Sequence, residues 1–421
     1  MRFSIRFLSA VVVVAAAAAA AAASATTPCP PTAKDTAVAV TAAADPPLTP
    51  VATSPPSTNA TETRCRPFLA PCLAGLTSGG TCPDLLPVPA ASFGARLRAR
   101  GYHLAPIRPG VWSYEDGGYS CLFLRSADGR RLLLVDAPDS VASEKPDGSR
   151  TRLTDAAEEV LAGSTPHAVD IVYSHSHFDH IGGAARVVAY VRRRYPAARI
   201  TTWGTASVRA VVRASTSKRA PEPSRLVRRR GATRIRVDAG LVLSLSTVGG
   251  HSDDDLAVHI LPDAATGAPG VLHHVDVVFP GWAPPFTLAF TTDVRRFVAV
   301  HDVLLAKEWA VFSSGHIRAT GSRGDVEASR AYVVDLLDAA ADATAAVDAA
   351  ALATAGAGQI ANVSSPTLGH VWWLFVRVQR RLQRDACART MLTKWGCVLA
   401  GVDVVVRDNC LIALTWVQVE S

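Results

Sequence analysis

The sequence predicts an α+β fold in which mixed β-sheets are covered by helices on their outer faces. Three observations predict it. Apolar runs of strand length alternate with amphipathic helical stretches, but without a strict strand–helix alternation. Turn and breaker residues such as Asp128-Gly129, Gly163 and Pro196 separate the runs. The chain, 421 residues with 49% hydrophobic content, is long enough to bury a full core.

In chain order, "MRFSIRF" carries Arg2 and Arg6 ahead of an apolar, alanine-rich run that ends in the small residues Ala23 and Ala25. That is the layout of a secretory signal peptide over 1–25, so export is expected. Residues 26–64 are rich in Pro, Thr, Ala and Ser and read as a disordered linker, because they offer too little apolar surface to offset ordering. A cysteine-containing extension follows over 65–100. "CLFLRSADGRRLLLVDAP" reads as two strands joined at Asp128-Gly129. "LTDAAEEVLAG" reads as a helix capped by Asp155 and ending at Gly163. The strand "AVDIVYS", helix "AARVVAYVRRRYP", strand "ARITTWG" and helix "TASVRAVVRAS" come next. "LVLSLSTV", "LAVHILP" and "VLHHVDVVF" are three close strands, followed by a helix around "DVRRFVAVHDVLLAKEW" and the short strand "AVFSSG". A long helix begins near Asp325. The main domain is expected over 101–350 and a helical tail over 351–421, in which Val371, Leu374, Phe375, Val378 and Leu382 share one helix face.

Export changes the meaning of the eight cysteines. In an oxidising compartment Cys29, Cys65, Cys72, Cys82, Cys387, Cys397 and Cys410 are disulfide candidates, while Cys121 in "SCLFL" reads as a buried free thiol. None forms a C-x-x-C pair. Asn59 and Asn362 stand in sequons that a eukaryotic secretory pathway could glycosylate. The net charge of +7 is carried almost wholly by arginine and is weak ground for nucleic-acid binding. Its one dense run, "RLVRRRGATRIR" from Arg225 to Arg236, reads as a solvated hairpin edge.

The stretch "SHSHFDHIGG" places His175, His177, Asp179 and His180 directly after a strand, in a chain with only 12 histidines. Alternating residues at an extended strand end point the same way, so His175 and His177 converge on one point. Asp179 and His180 reach a second point nearby, and Gly182 and Gly183 let the backbone pass tightly. Mixed imidazole and carboxylate donors suit zinc, or iron and manganese at a paired site.

The spacing H-x-H-x-D-H resembles the signature of the metallo-β-lactamase fold superfamily. The likeness extends over roughly residues 109–337 and implies a four-layer αβ/βα sandwich of two mixed sheets. It also implies a ligand set. His175, His177 and His251 of "GHSDDDL" would take a first divalent ion; Asp179, His180 and His316 of "SSGHI" would take a second; Asp276 would bridge them. Asp136 in "LLLVDAP" would support the metal-binding loop. His273 and His274, beside Asp276, compete for these roles but read as supporting residues. The two ions, zinc with iron or manganese as alternatives, would share a water and lower its pKa towards neutrality, with Asp179 orienting the resulting hydroxide. Attack on an ester, lactone, thioester or amide of a small molecule follows. Asp276 departs from the lactamases that carry cysteine at that position, and His177 departs from the flavin-linked di-iron enzymes with glutamate there. No nucleic-acid-gripping module and no membrane span after signal removal are expected. A mononuclear iron oxidoreductase of the persulfide-dioxygenase type and a non-catalytic binding protein are the alternatives. "FPGWAPPF", with Trp282 and Phe286, reads equally as an apolar rim of the site or as a packed hairpin.

Overall fold

The computed structural model describes residues 59–77, 80–97, 99–139, 152–355 and 372–420. The expected signal peptide, Cys29, Asn362 and Val371 lie outside these, as does most of the expected linker. Where the linker is described, at 59–64, it is already helical, opening α1 (Asn59–Thr77). This helix carries Pro67 and Pro71, which helix propensity opposes. Two disulfides, from Cys65 to Cys397 and from Cys72 to Cys82, tie it down. A third joins Cys387 to Cys410, and Cys121 is the buried free thiol the sequence predicts.

The first sheet has seven strands in the order β1 (His103–Arg108), β2 (Val111–Glu115), β3 (Ser120–Arg125), β4 (Arg131–Val135), β5 (Ala168–Val172), β6 (Arg199–Gly204) and β7 (Arg225–Leu226). β1 to β4 run antiparallel and β4 to β7 parallel. The second sheet has six, in the order β13 (Thr320–Gly321), β12 (Val311–Ser313), β11 (Val271–His273), β10 (Leu256–Ile260), β9 (Val242–Thr247) and β8 (Thr233–Arg236). Only β11 and β12 pair in parallel there. Both sheets are mixed.

The layers follow from the side-chain period of two. Leu122 and Leu124 of β3, with Leu133 and Val135 of β4, meet Leu243, Leu245, Val258 and Ile260 of the second sheet in one core. Their neighbours Cys121, Phe123, Leu132 and Leu134 face the other way. They pack under α2 (Arg152–Leu161), and the same core continues beneath α4 (Ala184–Arg194) and α5 (Ala206–Ala214); the single turn α3 (Phe178–Ile181) lies at the site. On the far side, Ala257, Leu272 and Phe312 are covered by Phe297 and Val300 of α6 (Val294–Leu305) and by Val333 and Leu336 of α7 (Arg323–Ala346). Helix, sheet, sheet, helix: this is the expected four-layer sandwich. α8 (Ala349–Thr354) follows α7 after a break at Val347.

Four local expectations change. Asp155 lies within the first turn of α2 rather than capping it. The arginine-rich run is no hairpin, since β7 and β8 are edge strands of different sheets. "VLHHVDVVF" is a strand only through His273, so His274 and Asp276 lie beyond it in irregular backbone. In the tail, α9 (Trp372–Trp395) and α10 (Val402–Thr415) pack on α7 as a further layer. The buried stripe of α9 is Gln383, Cys387, Met391 and Trp395, while Val378 and Leu382 are half-buried. The stripe turns because α9 must meet α7, α10 and α1 together, with Cys387 bonded to α10.

Candidate metal centre

The site lies where strands of both sheets end. The loop after β5 carries His175, His177, Asp179 and His180; the loop between β9 and β10 carries His251; Asp276 follows β11 and His316 follows β12. All seven side chains proposed from the sequence meet in this place. One ligand atom from each of His175, His177, His251 and Asp276 falls within 4.8 Å of the others, and the same holds for Asp179, His180 and His316. Asp276 joins the two groups. Its Oδ1 lies 2.9 Å from His316 Nε2, and its Oδ2 lies 3.1 Å from His180 Nε2, 3.4 Å from His175 Nε2 and 3.7 Å from His251 Nε2.

The backbone is shaped to allow this. Asp136 and Asp276 both adopt left-handed conformations, φ 67° and 61°, as does Ile317 beside His316 at 60°. Such conformations are costly for residues with a Cβ and persist where the surroundings enforce them. Asp136, fully buried, accepts from the backbone N–H of Ser174 at 2.7 Å and so sets the start of the histidine loop. Its second oxygen lies 3.9 Å from His180 Nδ1 and 3.6 Å from His273 Nε2. A Cβ on Gly183 would stand 2.5 Å from the Pro138 carbonyl oxygen, which explains the glycine pair of the motif.

The donors fit a cation. His180 Nε2 faces His316 Nε2 at 3.0 Å, and His251 Nε2 faces His177 Nδ1 at 2.9 Å. Paired ring nitrogens leave lone pairs directed at a common point, as metal ligation requires. His175 Nε2 is buried without a hydrogen-bond partner, an expensive arrangement in a purely structural cluster. Burial holds His175 well below the usual imidazole range and lowers His251 to about 4, so both stay neutral. Burial opposes protonation of His180 too, yet Asp276, helped by Asp179 and Asp136, outweighs it and lifts the ring to about 10. Burial would raise the Asp276 carboxyl, but His180 and His316 hold it well below the ordinary value. Only His177 is exposed among the five imidazoles, with Asp179 and His316 half-buried, so the site opens on that side.

His273 and His274 supply no ligand atom to either group. His273 Nδ1 contacts Ser313 Oγ at 3.0 Å, and His274 Nδ1 contacts the Leu256 carbonyl at 3.1 Å. Two other residues escaped the sequence reading. Asp255 accepts from the backbone N–H groups of His251 (2.7 Å) and Ser252 (2.8 Å), shaping the His251 loop; burial raises its carboxyl to about 7. Its place at the end of "GHSDDD" was the available signal. Tyr119 sets its ring 4.9 Å from that of His316, and Gly117-Gly118 ahead of it marked only a turn.

Two mixed sheets under helices, with this donor set between their strand ends, decide the architecture. It is metallo-β-lactamase-like. A scan against known protein families finds no match for the chain, and a search of curated proteins finds none. Among solved structures, the sec-alkylsulfatase Pisa1 from Pseudomonas sp. is similar at 14% identity and TM-score 0.49, covering 88% of this chain and 64% of its own. A β-lactamase domain protein from Burkholderia ambifaria is similar at 17% identity and TM-score 0.41, covering 58% and 79%. The HARLDQ-motif metallo-β-lactamase of Cronobacter sakazakii is similar at 17% identity and TM-score 0.33, covering 54% and 80%.

Proposed function

We propose that this metallo-β-lactamase-like chain is an exported, metal-dependent hydrolase that cleaves an ester, lactone, thioester or amide of a small molecule. The observation that carries the reading is the convergence of five histidines and Asp179 around Asp276. His175, His177 and His251 would hold one divalent ion, Asp179, His180 and His316 a second, and Asp276 both; zinc suits the donor set best. Such a pair supplies Lewis acidity and lowers the pKa of bound water. The chain's own groups do the rest. Asp179 keeps a carboxylate at the open side, 3.5 Å from His180 and 3.7 Å from His316, where it can orient water and take its proton. Asp255 fixes the backbone of His251, and Asp136 that of the loop leading to His175. A single-iron site would leave His180 and His316 idle, although both Nε2 atoms face Asp276.

Export rests on the signal-like leader and agrees with three disulfides. Among the described residues no helix is long and apolar enough to cross a membrane. Elemental analysis tests the site: two equivalents of metal in the wild type, falling towards one in His180→Ala. A metal-replete protein inactive on a broad panel of esters, lactones, thioesters and lactams would end the hydrolase proposal.

A further inference from the structure

The segment from Phe279 to Thr291 is pinned to both flanks of the centre. Phe279 stacks on the ring of His316 at 6.0 Å, and Thr291 Oγ donates to the carbonyl of Gly250, the neighbour of His251, at 2.9 Å. Between these points Phe286, Thr287, Leu288, Ala289 and Phe290 all take positive φ, from 38° to 61°, forming one left-handed turn without a glycine. Left-handed backbone is costly for residues with a Cβ, so the turn exists because its surroundings hold it. The holding group is Asn409 of α10, fully buried, which accepts from the Leu288 N–H at 2.9 Å and donates to the Pro284 carbonyl at 2.9 Å. Leu288 is buried beneath the turn.

The outcome is that Phe286 and Phe290 stand 56% and 65% exposed, stacked on one another at 5.4 Å. A buried anchor with two solvated aromatic rings above it is costly and does nothing for the core. Trp282 plays a different part: its indole N–H donates to the Ser92 carbonyl and its ring packs near Gly401, so it belongs to the support. Phe290 is separated from His251 only by Thr291 and its hydrogen bond to Gly250, a reach of about 10 Å by backbone spacing.

We infer that the Phe286–Phe290 pair is a specificity element that receives the apolar portion of the substrate, an alkyl or aryl group, while its polar end lies at the metal centre. The inference rests on the hydrolase reading for the polar end. Strain held beside a reactive centre is where such elements occur, and stacked aromatic faces take up apolar chains without demanding one geometry.

Two probes of one warhead test it: acetohydroxamate and octanohydroxamate, titrated calorimetrically into zinc-loaded protein, wild type and Phe286→Ala/Phe290→Ala. Partial burial of six added methylenes is expected to make octanohydroxamate bind about tenfold tighter or more in the wild type. That preference should fall below about threefold in the double variant, with acetohydroxamate unchanged. Equal binding of the two probes by the wild type overturns the specificity element alone. An undiminished preference in the variant does the same, and placement of the chain against a membrane or a second copy would then account for the exposed rings. Failure of both probes to bind overturns the metal centre and this inference with it. Circular dichroism spectra of wild type and variant, if superimposable, tie the change to the two rings rather than to unfolding.

Discussion

Replacing Asp276 by asparagine keeps the shape of the side chain and removes the one carboxylate shared by both groups of donors. In the metal-free protein Asp276 is a buried partner of His316 at 2.9 Å and of His180 at 3.1 Å. Breaking a buried pair from one side costs about 3–5 kcal/mol, and the asparagine still occupies the space, so a loss of about 3 kcal/mol is expected. For a domain of this size that is a fall of roughly 6–10 °C in Tm. Metal linkage gives a second, independent readout. At free zinc a hundredfold above its dissociation constant, a wild-type site gains about 2.7 kcal/mol on binding. If the substitution raises the constant to the zinc concentration used, the gain drops to about 0.4 kcal/mol. Because Asp276 touches both groups, elemental analysis should find both equivalents weakened, in contrast to His180→Ala, which removes one. Scanning calorimetry with and without zinc, beside metal stoichiometry, measures all of this. A variant that melts within about a degree of the wild type and still retains two equivalents would refute the bridging role of Asp276.

His301, held between the Phe297 carbonyl at 2.9 Å and Ser329 Oγ at 3.0 Å, is driven by burial down to about 4. Its folded value lies below the ordinary 6.5, so the native state binds fewer protons; the stability it lends is present above pH 6.5 and is lost as pH falls through about 4. Urea unfolding of metal-free His301→Gln should decline less steeply over that window, by ~3 kcal/mol, than the wild type; parallel curves would count against it. Gly315→Ala places a Cβ 2.7 Å from His180 Cε1, and zinc content should fall towards one equivalent while the His175 group still fills. Asn409→Leu strands the Leu288 N–H and the Pro284 carbonyl in the interior, and a loss of about 2–4 kcal/mol in chemical denaturation is expected.

Most strands were legible because sheets buried on both faces leave continuous apolar runs, as in "LLLV" and "AVDIV". Four donors of the centre were legible for a local reason: they crowd into six positions. His251, Asp276 and His316 came only through the family resemblance, since nothing local distinguishes them from His274 or His301. Tyr119 and Asp255 act through distant or backbone contacts, which leave no periodic trace. The left-handed turn was hidden because "FTLAF" has no glycine and its conformation is imposed by Asn409, more than a hundred positions away. α1 was masked by its prolines and by cysteine partners that sequence cannot pair.

The bridge from Cys65 to Cys397 spans 332 positions and so encircles nearly all of the described polypeptide. A protease that nicks any surface loop between them yields two pieces that still travel as one molecule. They separate only when a thiol reductant opens that link.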